Sequence, residues 1–407
     1  MDFSFMHGAD LHLGSTLSGL ENLPEVLEKR IRDASLRSLA KLVDFCIDQQ
    51  VDFLLLAGDL FEISDPSIRV QKYFARQMQR LAKTEILVFI VTGNHDRDVF
   101  TKFVFPLPKT VHVLSTEVDQ HAITLNDEHE VTISGMSYGL LMKGASSFPV
   151  FPLPKRQQIN IGLFHCDVGG SEDSLYYPVD LSRLQQSGFD YWALGHVHTN
   201  RVWDTTNLVV YPGVMQGRNR QETGPKGCYY VTCASQNLQA VFYPFQDIMW
   251  ENRIVDLSDV TIDQLYAVIA DVKEKSRQCN EVGVLLQIIL TGFTPCHHAL
   301  QMQETLHDLI VDIRVGEEQR GDGVWIHQIK DQTLPVLDWG KLENRNDFLG
   351  ELLSFVATAI DDPTLHKELE KIWSTLPLRE MLFLDRDEIL NRVRVLAVQL
   401  FGGEQDR

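Results

Sequence analysis

The sequence predicts an α/β protein that contains a sheet with a parallel core, a second sheet and a smaller additional domain. Before Thr110, apolar runs that look like buried strands alternate with helical patterns. After Thr110, short apolar runs follow one another with few helical patterns between them. The pattern changes again near Trp250, and at 407 residues the chain is too long for one ordinary core.

The first part of the chain reads as β-α-β-α-β. "DFSFMHGAD" predicts the first strand, and apolar residues at helical spacing predict a helix from Pro24 to Gln50. "DFLLLAGDLF" predicts the second strand, Asp65-Pro66 begins a helix that runs to about Lys83, and "EILVFIVTGN" predicts the third strand. This order implies parallel strands with helices on the outer face of the sheet.

The stretch after Thr110 predicts a second sheet. It contains the runs "VHVL", "HAITL", "EVTISGMSY", "INIGLFH", "YWALGH", "RVWD", "NLVVYPG", "GCYYVTC" and "QAVFYPF". Such closely spaced strands are typical of a mixed or antiparallel sheet. We expect this second sheet to stack on the first.

The pattern also predicts three domains, over residues 1–250, 251–340 and 341–407. The second contains the strand runs "NRIVDLSD", "VGVLLQIILTG" and "GVWIHQIKD", with helices expected over 261–277 and 297–313. The third is helical and interrupted at Pro363 and Pro377. It ends in an apolar stripe on "RDEILNRVRVLAVQLF", which either seats on a helix of a partner or folds back on its own domain.

Charge and composition exclude several classes of protein. The formal net charge of −19 repels phosphate backbones, so the chain is not a self-sufficient nucleic-acid-binding protein. The N-terminus "MDFSFMHGAD" lacks the features of a signal peptide, and no apolar run is long enough to span a membrane. We therefore expect a cytoplasmic protein whose six cysteines are mostly buried free thiols.

Candidate metal ligands stand at the ends of five predicted strands. The carboxyl edge of an α/β sheet is where such proteins place their sites, although any single one of these residues is equally well explained as a cap. Oxygen and imidazole ligands without thiolate suit Mn, Fe or Zn in a hydrolytic site. The candidates are Asp10, His12, Asp59, Asn94, His165, His196 and His198.

Three glycines precede these candidates. Gly58, Gly93 and Gly195 each stand immediately before a proposed ligand. A residue without a Cβ lets the backbone turn sharply and approach a metal. The alternative, an ordinary turn glycine, explains any one of the three but not the recurrence.

The order of these motifs, D-x-H, G-D, G-N-H-D, a lone H and G-H-x-H, resembles the calcineurin-like metallophosphoesterases. The resemblance implies their four-layer α-β-β-α sandwich, here with a small α+β capping domain and C-terminal helices. More narrowly, "HGADLHLG", "LAGDLFE", "GNHD", "GMSYG", "GHVH" and "YPGVMQGRNRQETGPKGCYYV" resemble the SbcD-type DNA repair exonucleases, in particular their YhaO-like branch.

This resemblance implies two divalent metal ions, most naturally Mn²⁺, that share Asp59. Asp10, His12 and His198 would complete one position, while Asn94, His165 and His196 would complete the other. Two ions roughly 3.5–4 Å apart can clamp a phosphodiester and stabilise its transition state.

The resemblance also points His95 at the substrate, where it could protonate the leaving oxygen. Asp96 either orients that imidazole or only caps the next turn. Arg97 contacts a phosphate or is an ordinary solvated arginine. His7 is expected to be a hydrogen-bonded core histidine.

Four residues of "YPGVMQGRNR" are further candidates. Tyr211, Gln216, Arg218 and Arg220 could approach DNA, or the segment could be a salt-bridged loop.

The resemblance makes a metal-dependent DNA exonuclease and endonuclease the first hypothesis for function. Its partner would be an SMC-like coiled-coil ATPase of the YhaN or SbcC type. A homodimer is expected, with the apolar residues of "SIRVQKYFARQMQRLAK" as interface candidates or as an ordinary core face. The rival hypotheses are a phosphodiesterase or phosphatase acting on small nucleotides and a non-catalytic scaffold that retains the fold.

Overall fold

The computed structural model describes residues 2–20, 23–125, 129–139, 149–155, 157–170, 176–359 and 386–402. The chain divides into two compact units. The first consists of Met1–Asn252, Lys273–Gln287 and Arg314–His327, and the second of Arg253–Val272, Ile288–Ile313 and Gln328–Arg407. The predicted division at residues 250 and 340 stays a prediction.

The first unit begins with the expected alternation of strands and helices. Its elements in chain order are β1 (Phe3–Gly8), α1 (Glu25–Arg32), α2 (Ala34–Asp48), β2 (Phe53–Ala57), α3 (Ile68–Ala82), β3 (Leu87–Val91) and β4 (Val111–Val113). Strand β2 pairs in parallel with β1 and with β3, and β3 pairs in parallel with β4. Helix α3 starts at Ser67, whose hydroxyl accepts a hydrogen bond from the Val70 amide.

The helix predicted from Pro24 to Gln50 is two helices, separated at Asp33. Leu27 and Ile31 of α1 pack with Trp250 in one apolar cluster. Leu39 and the apolar residues that follow it in α2 pack in a different cluster, against the first sheet. The spacing of apolar residues is continuous across the break, and only the separate cores distinguish the two helices.

The next strands build the second sheet and then return to the first. They are β5 (Asp119–Leu125), β6 (His129–Met136), β7 (Ile159–His165), β8 (Asp167–Val168), β9 (Pro178–Val179), α4 (Leu181–Gln185), β10 (Tyr191–Gly195), β11 (Arg201–Asp204), β12 (Leu208–Tyr211), β13 (Gly227–Ala234) and β14 (Asn237–Pro244). The last two strands were expected in the second sheet. They pair instead with β1, which is antiparallel to β13.

Two six-stranded sheets therefore form the centre of the first unit. The spatial orders are β14-β13-β1-β2-β3-β4 and β11-β12-β10-β7-β6-β5. Phe5 and Phe53 of the first sheet share a buried cluster with Ile161 and Tyr191 of the second, so the sheets pack face to face. A second cluster lies between the first sheet and α2 and α3, and a third covers the outer face of the second sheet near α4. The predicted four-layer α-β-β-α sandwich is confirmed.

The remaining elements follow Pro244. They are β15 (Ile248–Asp256), α5 (Ile262–Gln278), β16 (Gly283–Thr291), β17 (Phe293–Thr294), α6 (His297–Leu300), α7 (Gln303–Arg314), β18 (Val324–Asp331), β19 (Leu334–Pro335), α8 (Trp339–Glu343), α9 (Phe348–Ala359) and α10 (Arg386–Phe401). The helix expected over 297–313 is divided into α6 and α7. Strands β15, β16 and β18 form a three-stranded sheet in that order.

The C-terminal helices of the second unit share a small core. Leu342, Leu349 and Leu353 pack there with Ala397 and Val398 of α10. The apolar stripe predicted on this helix is thus divided. Ala397 faces the unit's own core, whereas three members remain exposed, namely Leu396, Leu400 and Phe401. Pro363 and Pro377 lie outside the described residues, as do the side chains of Ile389 and Leu390.

Three other expectations meet the structure directly. Helix α3, the candidate dimer helix, buries Phe74, Met78 and Leu81 in its own core and leaves Ile68 exposed. Five cysteines are buried, and Cys279 is exposed. Within the described ranges, no helix has both the length and the apolar character needed to cross a bilayer.

Candidate metal centre

The loops that follow the central strands converge at one edge of the first unit. Because β1 and β2 are parallel neighbours, their loops run side by side. The Asp10 amide donates to the Gly58 carbonyl at 3.0 Å, and the His12 amide donates to the Asp59 carbonyl at 3.0 Å. In the second sheet, Gly195 at the end of β10 pairs with His165 at the end of β7. Both sheets therefore present their carboxyl ends to the same place.

Four candidate ligands adopt a backbone conformation that L-residues rarely use. The φ angles are 49° at Asp10, 42° at His12, 49° at Asp59 and 105° at His196. Such conformations each cost on the order of 1–3 kcal/mol and persist where the surrounding structure enforces them. Their concentration here indicates a site that is held together at the expense of backbone strain.

Two of the three predicted glycines make close approaches that a side chain would prevent. A Cβ on Gly93 would lie 2.2 Å from Asp59 Oδ1. A Cβ on Gly58, whose φ is +87°, would lie 2.4 Å from His165 Nδ1. The absence of a side chain at these positions is thus a requirement of the site, in agreement with the expectation from the sequence.

The structure brings the seven candidate ligands together. Side-chain ligand atoms of Asp10, His12 and His198 lie within 4.8 Å of one another, and so do those of Asp10, Asp59 and His165. The other two candidates join the same cluster. Asn94 Oδ1 lies 3.1 Å from His165 Nε2, and the His196 ring lies 5.3 Å from the His165 ring.

The orientation of His165 shows why this cluster suits a cation. Its Nδ1 donates to the Ala57 carbonyl at 2.9 Å, since a carbonyl can only accept. Its Nε2 then presents a lone pair to Asn94 Oδ1 at 3.1 Å and Asp59 Oδ2 at 3.5 Å. Burial disfavours a charged ring, yet Asp59 and Asp10 raise the pKa of His165 to about 9. Acceptors crowded in this way attract a positive charge, and a metal ion fits that requirement.

His12 and His198 repeat the pattern. His12 Nδ1 faces Glu62 Oε2 at 3.0 Å, and His198 Nδ1 faces Glu222 Oε1 at 2.8 Å. Carboxylates can only accept, so both Nδ1 atoms carry the hydrogen. The two Nε2 lone pairs then meet at 3.3 Å. Imidazole oriented by a carboxylate through its other nitrogen is the usual arrangement of a metal-binding histidine.

His196 has the protonation state that metal binding requires. Burial and the neighbouring His165 lower its pKa to about 3, which keeps the ring neutral. Its backbone amide donates to both carboxylate oxygens of Asp10, at 3.1 and 3.0 Å. The ring of Tyr176 lies 4.7 Å from the His196 ring.

His95 stands at the exposed side of the cluster. Its backbone amide donates to Asp59 Oδ1 at 2.9 Å, and its Nδ1 donates to the Glu62 carbonyl at 3.0 Å. The ring lies 5.1 Å from that of His12. These contacts hold the imidazole beside the candidate ligands and leave Nε2 as the nitrogen that can meet a substrate.

Asp96 does not orient His95, so the catalytic assignment of Asp96 was wrong. The residue is completely buried, and Oδ1 accepts from the Gly93 amide at 2.7 Å. Oδ2 accepts from the amides of Leu60 at 2.6 Å and Phe61 at 3.2 Å. Asp96 therefore connects the loop after β2 to the turn after β3, which is the structural alternative that the sequence left open.

Two of the tentative substrate-binding residues are also corrected. The Tyr211 side chain is buried, and its hydroxyl donates to the Cys166 carbonyl at 2.7 Å. Gln216 is buried as well, and its amide nitrogen donates to the Ile248 carbonyl at 2.6 Å. Residues committed to the interior cannot contact a nucleic acid, so both predictions were wrong.

Arg97 and Arg218 have different environments. Arg97 is exposed and pairs with Asp98 at 3.3 Å, so its contact with substrate stays a prediction. Arg218 lies within the site, where its Nη1 pairs with Glu62 at 2.8 Å. The salt-bridged alternative describes Arg218 better than a free contact with DNA does.

Glu62 and Glu222 are the functional candidates that the sequence reasoning missed. Both lie in motifs that carried the resemblance, "LAGDLFE" and "RNRQETG". The signal was an acidic residue beside each histidine-rich motif in space, which local spacing does not reveal. His7 behaves as expected, because burial lowers its pKa to about 3 and it bonds the Tyr191 hydroxyl at 2.9 Å.

Comparisons with known proteins agree with this site. The calcineurin-like phosphoesterase family matches residues 3–200, and the family described as the middle domain of metallophosphoesterase YhaO matches residues 250–334. The uncharacterized metallophosphoesterase YhaO of Bacillus subtilis (strain 168) is 30% identical over 355 residues, which cover 86% of each chain.

More distant relatives carry names from DNA repair. The DNA double-strand break repair protein Mre11 of Methanocaldococcus jannaschii is 26% identical over 396 residues, or 91% of this chain and 98% of the relative. One of the polypeptides of the nuclease SbcCD of Rhodobacter capsulatus is 32% identical over 135 residues, which cover 30% of this chain and 31% of the relative. Together with the fold and the cluster of carboxylates and imidazoles, these matches show that the chain belongs to the calcineurin-like metallophosphoesterases.

Proposed function

We propose that this metallophosphoesterase is a two-metal DNA exonuclease and endonuclease that acts in DNA repair. The observation that carries the proposal is the convergence of seven oxygen and nitrogen ligands around the shared, buried carboxylate of Asp59. Two relatives whose names refer to a DNA repair protein and a nuclease support DNA as the substrate.

The candidate ligands divide into two sets. Asp10, His12 and His198 would hold one ion, and Asn94, His165 and His196 the other, with Asp59 between them. When bound, two divalent ions, here proposed as Mn²⁺, supply Lewis-acid polarisation of the phosphodiester and neutralise the charge that develops on it. The ligand set of carboxylate, amide oxygen and imidazole is compatible with Mn²⁺.

His95 is the proposed general acid. Its Nδ1 is committed to the Glu62 carbonyl, so a protonated ring presents Nε2–H toward the side of the cluster that substrate must enter. Proton donation to the leaving oxygen contributes about 10²–10⁴-fold to a rate. The contact between its backbone amide and Asp59 fixes the ring relative to the ligands.

The charge of the chain supports a partner that contributes affinity for DNA. At −19, the molecule repels a nucleic acid except where metals or arginines attract it locally. We propose an SMC-like coiled-coil ATPase for this role. The second unit exposes Phe348, Phe355 and Leu400, which is the kind of apolar surface that a partner helix covers.

Several finer features are part of the same proposal. The chain is proposed to act as a homodimer in the cytoplasm, and to consist of a nuclease domain over 1–250, a capping domain over 251–340 and a helical region over 341–407. The burial of the apolar face of α3 means that a dimer would use other residues of that helix or another surface.

The test is a cleavage assay with Mn²⁺ on end-labelled duplex and hairpin DNA, with and without the cognate ATPase. Bis-p-nitrophenyl phosphate is assayed in parallel. Cleavage of both DNA substrates supports the proposal. Turnover of the small ester without any cleavage of DNA, even with the ATPase, would replace it with a phosphodiesterase of small nucleotides.

His95→Ala provides the internal control for chemistry. We expect this variant to bind metal as the parent does and to lose DNA cleavage by about 10²–10⁴-fold. The matched control is His298→Ala, because His298 is exposed and its ring contacts only His297 among the described aromatic pairs. Full cleavage by His95→Ala would remove His95 from the mechanism.

A further inference from the structure

We propose that Glu62, Arg218 and Glu222 form a clamp that positions His12 and His198 and thereby builds one of the two metal positions selectively. The inference rests on the proposed two-metal site. None of the three residues is a candidate ligand in that proposal, and each would act through a histidine.

Each glutamate holds one imidazole from the side opposite the metal position. Glu62 Oε2 lies 3.0 Å from His12 Nδ1, and Glu222 Oε1 lies 2.8 Å from His198 Nδ1. The rings meet at 74° with centroids 5.2 Å apart, so their Nε2 atoms converge from two directions. An imidazole whose Nδ1 is bonded to a carboxylate has a fixed tautomer and a more basic Nε2.

Arg218 joins the two glutamates into one unit. Its Nη1 pairs with Glu62 Oε2 at 2.8 Å, and its backbone amide donates to Glu222 Oε2 at 2.6 Å. Its Nη2 lies 3.8 Å from Glu222 Oε1 and 3.3 Å from His198 Nδ1. The side chains of Arg218 and Glu222 are only 18% and 12% exposed, so water competes little for these contacts.

The other metal position has a different and neutral support. His165 Nδ1 is held by the carbonyl of Ala57, and the third ligand, Asn94, is an uncharged amide. A carboxylate partner makes an imidazole a stronger ligand than a carbonyl partner does. Removing the clamp should therefore weaken the position of His12 and His198 and spare that of Asn94, His165 and His196.

The experiment measures bound Mn²⁺ on the full-length chain by equilibrium dialysis and elemental analysis, without any activity assay. The parent should bind two ions. Glu222→Ala should weaken one ion by about 10–100-fold and leave the other within about twofold. Glu222→Gln keeps an oxygen acceptor for His198 Nδ1 and should recover part of the loss, which a purely structural role would not predict. Glu28→Ala, an exposed carboxylate of α1, is the matched control and should bind as the parent does.

Glu62→Ala repeats the test from the other side of the clamp, should Glu222→Ala fail to fold. We expect the same loss of one ion, because His12 then lacks its carboxylate. Unchanged binding of both ions in a folded variant, or equal weakening of both, would overturn the inference. Failure of the parent to bind two ions would instead overturn the proposed function.

Discussion

Replacing Asp96 by asparagine separates a structural carboxylate from a catalytic one. In the parent, one oxygen accepts the Gly93 amide and the other accepts the amides of Leu60 and Phe61. Asparagine has one oxygen and one NH₂ group, so whichever way the amide turns, a donor faces a backbone donor. The substitution keeps the volume of the side chain and changes only its hydrogen bonding.

The expected cost follows from these bonds. Losing one hydrogen bond to a charged group costs about 1.5–3 kcal/mol, and leaving a buried donor unsatisfied costs about 1–3 kcal/mol more. The sum is about 3–5 kcal/mol. For a unit of this size, each kcal/mol lowers the melting temperature by roughly 2–4 °C. Calorimetry should therefore show the transition of the first unit lowered by roughly 6–20 °C.

Asp98→Asn is the matched control, two residues along the same turn. The Asp98 side chain is 44% exposed and pairs with Arg97 at the surface. Its removal should change stability by less than about 0.5 kcal/mol. If Asp96→Asn melted with Asp98→Asn and yet lost all cleavage, the structural role assigned to Asp96 would be refuted and a catalytic role restored.

Three further predictions test the site and the fold. Gly93→Ala should cost about 1–3 kcal/mol and reduce metal binding, since the new Cβ would lie 2.2 Å from Asp59 Oδ1; parental binding in dialysis would contradict this close approach. Chelation with EDTA should abolish phosphodiester hydrolysis and lower the melting temperature, with Mn²⁺ restoring both, because two buried carboxylates lose their counter-charge; hydrolysis that survives exhaustive chelation would exclude a metal mechanism. Burial alone would raise the pKa of Glu317, but its bonds to Arg277 and Lys273 hold that pKa below its ordinary value, so its contribution to stability is present above pH 4.5 and fades as the pH falls. Urea unfolding should show a deficit for Glu317→Gln, with Glu318→Gln as control, that shrinks between pH 6 and pH 3; a deficit that grew on acidification would be inconsistent with this ion pair.

The layers of the fold could be predicted because local patterns carry them. Continuous apolar runs such as Phe53–Ala57 identify buried parallel strands wherever they occur in the chain. The break at Asp33 could not be predicted, because the apolar spacing continues through it. Nor could the placement of β13 and β14 in the first sheet, since strand partners depend on residues more than two hundred positions apart.

The candidate ligands could be found because each one ends a recognisable strand. Asp10, Asp59 and His165 follow apolar runs, and parallel strands end at a common edge. The roles of Asp96 and Gln216 could not be found in this way. Their bonding partners, Leu60 and Ile248, lie 36 and 32 residues away, and burial rather than residue type decides what they contact.

The sequence by itself determined the strands, the residues at their ends and the types of ligand atom that those residues offer. These properties are local, because a strand needs only its own apolar run and a ligand needs only its own side chain. Only the tertiary structure decided which polar groups face the centre and which are consumed in supporting it. Glu62 and Arg218 are separated by 156 positions, and their 2.8 Å contact exists only because folding brings two loops to one edge. Hydrogen bonds of that kind select among side chains that the sequence alone leaves equivalent.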